Sequence, residues 1–165
     1  MVTIRPATAP DFAAVWPMLR DVFRAGTTYA VEPAISRDAA QAYWMTSARA
    51  TYVAQTDAGI VGTYYIRTNQ PGGGAHICNC GYVVAAAARG QGIARQMCLH
   101  SQDAARALGY RAMQFNFVLA SNHGAVRLWH DLGFATVGTI PDAFAHPTAG
   151  MVQAHVMYKR LDPPT

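Results

Sequence analysis

The stretch ARGQGIARQM, residues 88–97, decides how this chain is interpreted. Gly90 and Gly92 are separated by one residue, Arg89 precedes them, and a helical pattern follows. The extended run 76–84 leads into the stretch, so the local order is strand, glycine loop, helix. Backbone N–H groups at the start of a helix attract anions, and glycine lets a ligand approach the backbone closely. The stretch therefore indicates either a plain turn into a helix or a phosphate-binding loop.

Two familiar nucleotide-binding patterns do not fit this loop. The pattern G-x-x-x-x-G-K-[ST] is absent, and the only lysine of the chain is Lys159. A dinucleotide-binding G-x-G-x-x-G would need glycine at position 95, where arginine stands. Arg89 and Arg95 add positive charge beside the loop. The loop can therefore still be an anion-binding site, but the loop alone does not identify the anion.

The rest of the chain shows helical and extended periodicities that predict one α/β domain over residues 1–165. The mixture favours a sheet of mixed strand direction with helices on both faces. Within one predicted strand, Met113, Phe115, Phe117 and Leu119 should share one face. The predicted strands are 2–5, 51–55, 60–68, 76–84, 112–119, 134–140 and 152–161, the predicted helices are 8–26, 36–47, 93–108 and 121–133, and the predicted loops are 70–75 and 141–150.

Composition narrows the function classes. The chain is 52% hydrophobic and 13% charged, without a low-complexity tract, which is typical of a folded soluble domain. It lacks the ~20 consecutive apolar residues of a membrane span and a secretory signal, so we expect a cytoplasmic protein without a membrane partner. The net charge of +4 forms no basic run, which argues against nucleic acid and suits a small anionic ligand. The three cysteines and six histidines show no metal-ligand spacing, so we expect no metal.

A second block, SNHGAVRLWHDLGF at residues 121–134, makes the glycine loop more specific. Residues 89–94 match the Q/R-x-x-G-x-G/A signature of the GNAT superfamily of N-acetyltransferases, and the second block is similar to that family's asparagine-headed helix ending in Leu-Gly-Phe. The resemblance covers nearly the whole chain in element order. It implies an α/β fold with a mixed, mostly antiparallel central sheet, helices on both faces, and a splay between the fourth and fifth strands. It also implies acetyl-CoA as the cosubstrate.

The resemblance assigns the cofactor contacts mainly to the backbone. Amides of residues 90–95 would hold the pyrophosphate, and residues 82–84 would pair with the pantetheine arm. Asn122 would contact that arm through its side chain or would only cap its helix. The implied cofactor-binding residues are Tyr82, Val83, Val84, Arg89, Gly90, Gln91, Gly92, Ile93, Ala94, Arg95, Asn122 and Trp129.

Trp129 is a departure from the family pattern. Many members carry a tyrosine near this position, and that tyrosine can protonate the departing thiolate. Indole offers only an N–H donor. Either another group acts as the acid or none is needed, because a thiol with a pKa near ~8.5 leaves tolerably as an anion.

The segments FNFVLASN and RLWHDLGF give a narrower resemblance, to acetyltransferases that modify proline analogues such as azetidine-2-carboxylate. In that group two strand asparagines work together, which implies catalytic roles for Asn79 and Asn116. They would orient the acceptor or hold a water molecule, or they would only satisfy backbone groups at strand ends. Since asparagine cannot act as a base, Glu32 is the first carboxylate to consider. The predicted acceptor-binding residues are Tyr29, Glu32 and Tyr64, with Tyr65 and Trp44 as further candidates.

The sequence therefore predicts an acetyl-CoA-dependent N-acetyltransferase whose acceptor is a small amine, an amino acid or a cyclic imino acid. The amine would attack the thioester directly, and strand amides near Val83 and Val84 would polarise its carbonyl. Two alternatives stay open: a protein or peptide N-acetyltransferase with a groove covered by residues 70–75 and 141–150, and a non-catalytic CoA-binding module. Dimers are common in the resembled family, so a homodimer is a further expectation.

Overall fold

One seven-stranded sheet organises the computed structural model, which describes residues 1–161. The strands lie in the order β1-β2-β3-β4-β5-β7-β6, and only the β4–β5 pair is parallel. This confirms the predicted mixed, mostly antiparallel sheet. The strands are β1 Thr3–Pro6, β2 Ala50–Thr56, β3 Gly59–Thr68, β4 Ile77–Val84, β5 Ala112–Leu119, β6 Ala135–His146 and β7 Gly150–Arg160.

Helices cover both faces of the sheet, as predicted. They are α1 Phe12–Ala25, α2 Arg37–Gln41 with a wider turn over Ala42–Thr46, α3 Ile93–Ala107 and α4 His123–Asp131. Ser36 starts α2 by accepting a hydrogen bond from the Ala39 amide at 3.1 Å. Gly26 ends α1 in the left-handed conformation, with φ 61°. These local signals fix the helix ends that the sequence indicates.

Two hydrophobic clusters form because successive residues of β3 point to opposite faces. Tyr64 and Ile66 join the cluster under α3 and α4. Tyr65 joins the cluster under α1 and α2, together with Trp44. The Trp44 side chain is 0% exposed, and its Nε1 donates to Thr63 Oγ1 at 3.0 Å. Trp44 is thus a core residue and not part of a pocket wall.

The sheet opens between β4 and β5. Their parallel pairing comprises only Ile77 with Ala112 and Cys78 with Met113. Beyond that point, the Asn79 side-chain nitrogen donates to the Gln114 carbonyl oxygen at 2.9 Å. The strands then diverge, which confirms the predicted splay.

The predicted loop at residues 141–150 is wrong for most of its length. Strand β6 continues through Pro141 to His146, and β7 already begins at Gly150. The register between β6 and β7 shifts between Ile140 and Phe144, where Asp142 has φ 46°. Proline is tolerated here because β6 is an edge strand with a bulge, where a missing N–H breaks no ladder.

The predicted alternation along β5 is also wrong beyond Phe115. The register with β7 shifts between Phe115 and Val118. A bulge of this kind reverses the facing of later residues. Val118 consequently packs in the same cluster as Met113 and Phe115, whereas Phe117 packs against Phe144 with ring centroids 6.5 Å apart.

Within residues 1–161, no helix is long and apolar enough to cross a membrane.

We expect Thr63→Val to destabilise the protein, although valine has nearly the same shape as threonine. The change leaves the buried Trp44 N–H without an acceptor. An unsatisfied buried donor costs about 1–3 kcal/mol of unfolding free energy. Urea unfolding followed by tryptophan fluorescence measures this loss. Thr63→Ser, which keeps the hydroxyl, is the control, and a valine variant as stable as the serine variant would contradict the expectation.

Candidate active site

A cavity of about 780 Å³ lies where β4 and β5 diverge. Its walls come from both strands, the glycine loop, the start of α4 and the segment between α1 and α2. The polar and aromatic residues of the lining include Tyr29, Tyr43, Tyr65, Asn79, Tyr82, Arg89, Asn116, Asn122 and Trp129.

Strand β4 turns half of its backbone groups into this gap. The Ala85 amide donates to Val61 O and the Asn69 amide donates to Ile77 O, so odd-numbered β4 residues bond to β3. The amides of Cys80, Tyr82 and Val84 therefore face β5, which has moved away. The prediction that Val83 presents its amide here is wrong, since Val83 pairs with Thr63 of β3.

Tyr29 satisfies one of the β4 carbonyl groups that face the gap. Its hydroxyl donates to the Tyr82 carbonyl oxygen at 3.0 Å, and both residues line the cavity. Burial raises the pKa of the Tyr29 hydroxyl well above its usual value. The group therefore stays protonated at neutral pH and acts as a donor.

The glycine loop presents the start of α3 to the cavity. Gly90 and Gly92 have φ 76° and 75°, a left-handed conformation that favours glycine. Gly92 is the N-cap of α3 and has no side chain to occupy the first free amides of the helix. Gly90, Gly92, Ile93, Ala94 and Arg95 line the cavity. The loop therefore offers the cavity N–H donors at a helix start, an arrangement that suits a phosphate group.

The flanking charges of this loop differ in their partners. Arg89 is exposed and lines the cavity. Arg95 also lines it but forms an exposed ion pair with Asp131 at 3.2 Å. The side chain of Gln91 turns back to donate to Ala87 O at 3.4 Å, outside the lining residues. Of the two arginines, Arg95 already has its charge paired with a carboxylate, so Arg89 is better placed to meet an anion.

Asn122 and Trp129 both belong to the cavity wall. The Asn122 oxygen accepts from the Ala125 amide at 3.3 Å, so this residue is the N-cap of α4. The cap and the wall position are compatible, because the side-chain nitrogen is not used by the cap. Trp129 packs between Tyr82 and Phe115, with ring centroids 5.1 Å and 5.0 Å away.

Four amide side chains form a connected cluster at the other end of the cavity, and we call them the amide cluster. Asn79 donates to Gln114 O, and Gln114 Nε2 donates to Asn116 Oδ1, each at 2.9 Å. Asn116 Nδ2 donates in turn to Asn69 Oδ1 at 2.6 Å. Asn79 and Asn116 thus lie in one network, linked through Gln114.

Aromatic hydroxyls border the amide cluster. Tyr65 donates to Asn79 Oδ1 at 3.4 Å, and the Tyr43 and Tyr65 hydroxyl oxygens are also 3.4 Å apart. Burial raises the pKa of Tyr65, so its hydroxyl stays protonated at neutral pH. Tyr65 therefore acts here as a neutral hydrogen-bond donor and not as a tyrosinate base.

Tyr65, and not Tyr64, faces the cavity. Tyr64 is 0% exposed on the opposite side of the sheet, where its hydroxyl lies 2.6 Å from His100 Nδ1. The prediction that Tyr64 contacts the acceptor is thus wrong, because neighbouring β3 residues point to opposite faces. Glu32 is exposed and outside the lining residues, although Ala30 and Val31 belong to them.

Sequence reasoning missed Tyr43, Arg67, Asn69 and Gln114. The period of two along β3 is a signal that Tyr65, Arg67 and Asn69 share one face. The β3–β4 register then places Arg67 directly across from Asn79. That register is not readable from the sequence. Within residues 1–161, no group of three or more His, Cys, Asp or Glu residues is arranged to hold a metal.

The chain matches a family model described as acetyltransferase (GNAT) family over residues 16–134. A solved structure of a GCN5-related N-acetyltransferase from Kribbella flavida is 41% identical and superposes with a TM-score of 0.92. That alignment covers 96% of this chain and 97% of the other.

Two further proteins are similar over different extents. The N-acetyltransferase aca1 of Schizosaccharomyces pombe is 38% identical over 84 residues, which make up 51% of this chain and only 40% of that protein. A phosphinothricin acetyltransferase from Sinorhizobium meliloti, solved in complex with acetyl-CoA, has a TM-score of 0.86 at 19% identity, covering 99% of this chain and 93% of its own. The latter likeness is one of fold.

We expect Gly81→Ala to disturb the cavity wall. A Cβ at this position would lie 2.6 Å from Cε1 of the Tyr65 ring. The ring must move away from position 81, and such overpacking costs about 1–3 kcal/mol. Urea unfolding measures the loss, with Gly73→Ala as a control because a Cβ there meets nothing within 4 Å. Equal stability of the two variants would show that Tyr65 is not held against Gly81.

Proposed function

Because this chain belongs to the acetyltransferase (GNAT) family and is therefore an acetyl-CoA-dependent N-acetyltransferase, we propose that its acceptor is a small amino acid or cyclic imino acid. One observation carries the proposal: a single cavity joins the glycine loop at one end to the amide cluster at the other. The first end suits a pyrophosphate, and the second suits a small polar acceptor.

The acetyl-CoA would lie along the gap between β4 and β5. In this proposal the amides at the start of α3 hold the pyrophosphate, with Arg89 adding charge. The β4 amides of Tyr82 and Val84, which do not bond to β3, pair with the pantetheine arm. Asn122 Nδ2 is available for the same arm, and Trp129 forms an apolar wall beside it.

The transfer step needs few ionisable groups. The neutral amine nitrogen attacks the thioester carbonyl carbon, so a C–N bond forms and the C–S bond breaks. A β4 amide facing the gap, at Tyr82 or Val84 and not at Val83, would stabilise the charge on the carbonyl oxygen. The sulfur leaves as a thiolate, which a thiol pKa near ~8.5 permits without an acid. Trp129 is then no obstacle to catalysis.

The proton released by the amine goes to water in this proposal. Asn79 and Asn116 orient the acceptor or that water through the amide cluster. Glu32, the carboxylate first considered as a base, lies on an exposed loop outside the lining residues. A water molecule held by neutral amides is too weak a base to deprotonate much of a protonated amine. The rate should therefore rise with pH, as more of the amine is already in its neutral, nucleophilic form.

The acceptor end favours a small molecule. Tyr29, Tyr43 and Tyr65 line it and limit its width. Proline analogues such as azetidine-2-carboxylate are the acceptors we propose first, because of the Asn79 and Asn116 arrangement. A protein or peptide acceptor remains the alternative, and the homodimer and the cytoplasmic location stay predictions.

We expect Gly92→Ala to weaken acetyl-CoA binding roughly tenfold or more. Alanine in the left-handed conformation costs about 1–2 kcal/mol, which the helix start relieves by moving its amides. Gly150→Ala is the matched control, since Gly150, the first residue of β7, has φ 73° and also has open space around it. Isothermal titration calorimetry measures both affinities. If the unaltered protein does not bind acetyl-CoA at millimolar concentration, the proposed binding site is refuted.

We expect Asn79→Ala and Asn116→Ala each to lower kcat by about 10- to 100-fold while leaving acetyl-CoA affinity unchanged. Both changes break the amide cluster, which lies away from the glycine loop. The assay is an acetyl-transfer screen over amino acids, proline analogues, polyamines, aminoglycosides and peptides. Turnover with a peptide alone would favour the alternative acceptor, and unchanged rates would remove both asparagines from the site.

A further inference from the structure

Arg67 places a positive charge beside the amide cluster. It lies on β3 directly across from Asn79 of β4, and its side chain is half-buried. Odd-numbered β3 residues share one face, so Arg67 is on the same side as Tyr65. Asn69 directly follows β3 and continues the pairing with β4, because its amide donates to Ile77 O. This side bears the acceptor end of the cavity.

Two tyrosines of the cavity wall hold the guanidinium in place. Its Cζ lies 4.0 Å from the Tyr65 ring centroid and 4.7 Å from that of Tyr43. Its Nη2 donates to the Tyr43 carbonyl oxygen at 2.6 Å. Cation–π contacts on two rings and a backbone hydrogen bond fix the position of the charge before any ligand binds.

The charge of Arg67 is not neutralised by the part of the chain that the structure describes. The ion pairs seen there include those of Arg5 with Asp11, Arg20 with Asp21, Arg95 with Asp131 and Arg106 with Asp103, and none of these involves Arg67. In addition, the Arg67 Nε is buried and has no hydrogen-bond partner. A partly desolvated cation without a counter-ion is unfavourable, and an anion bound in the cavity would offset part of that cost through its charge.

The field of Arg67 reaches the cavity wall. Burial raises the pKa of both Tyr29 and Tyr65, and the charge of Arg67 acts in the opposite direction on each hydroxyl. Both hydroxyls border the acceptor end. An anionic group bound there would therefore interact favourably with the same charge.

We propose that Arg67 is a specificity-determining residue that selects acceptors with a carboxylate beside the reacting amine. It lies behind the lining residues, so it acts through its charge and by fixing Tyr43 and Tyr65. The acceptor's amine would face the β4 gap, and its carboxylate would face the β3 side. The inference rests on the proposed function, because it concerns the acceptor of the same reaction.

The test compares two acceptors that differ in charge, azetidine-2-carboxylate and azetidine-2-carboxamide. We expect Arg67→Gln to lower kcat/KM for the carboxylate by about 10- to 100-fold, the range for losing one favourable charge–charge interaction in a partly desolvated site. The kcat/KM for the carboxamide should stay nearly unchanged. Arg67→Lys, which keeps the charge, should retain part of the preference. Arg24→Gln removes a charge from the exposed side of α1 and should alter neither acceptor.

An equal fall with both acceptors in Arg67→Gln would overturn the inference and leave Arg67 a structural role. If that variant does not fold, the inference is tested by competitive inhibition of the unaltered enzyme with acceptor analogues that lack the amine. Tetrahydrofuran-2-carboxylate should then compete with the acceptor at least about tenfold better than its carboxamide, and equal inhibition overturns the inference. Acetylation of carboxamides as efficiently as carboxylates refutes the inference alone. Acetyl-CoA binding without acetylation of any small acceptor refutes the proposed function itself.

Discussion

The separation of β4 from β5 is the constraint on which the rest of this structure depends. Two pairs of residues join the strands, and then the Asn79 side chain donates to the Gln114 carbonyl that the next ladder bond would otherwise use. A side chain thereby completes the hydrogen bonding of one strand while the other strand keeps free amides. The cavity, the open β4 backbone and the amide cluster all lie at or beyond this point, where a side chain takes the place of a backbone donor.

The site divides its work between backbone and side chains. At the glycine loop, conformation matters more than side-chain chemistry, since Gly90 and Gly92 are needed for their left-handed backbone. At the acceptor end the reverse holds, because neutral amides and protonated tyrosines supply the polar groups. A fixed cation at Arg67 then breaks the neutrality of that end. One end would recognise what all acetyl-CoA enzymes share, and the other would recognise what is particular to this one.

Local features of the fold were predictable from the sequence, and features that depend on register were not. The glycine loop, the Ser36 and Asn122 caps and the β2–β3 hairpin each need only neighbouring residues. In contrast, choosing Tyr65 over Tyr64 requires the facing of β3. Pro141 indicated a loop, yet an edge strand with a bulge accommodates it. The family resemblance supplied the splay, which no local pattern indicates.

The contact between Tyr65 and Gly81 limits how this site can change over time. The ring occupies the volume that any side chain at position 81 would need. A Cβ there would lie only 2.6 Å from a ring carbon, which is closer than van der Waals contact. The two positions therefore share one space, and a larger residue at 81 is compatible only with a smaller or displaced one at 65. If Tyr65 were replaced by a smaller residue during evolution, a larger side chain at position 81 of β4 could occupy the vacated space. Acceptor preference could then shift by paired replacements, while the glycine loop stays the same.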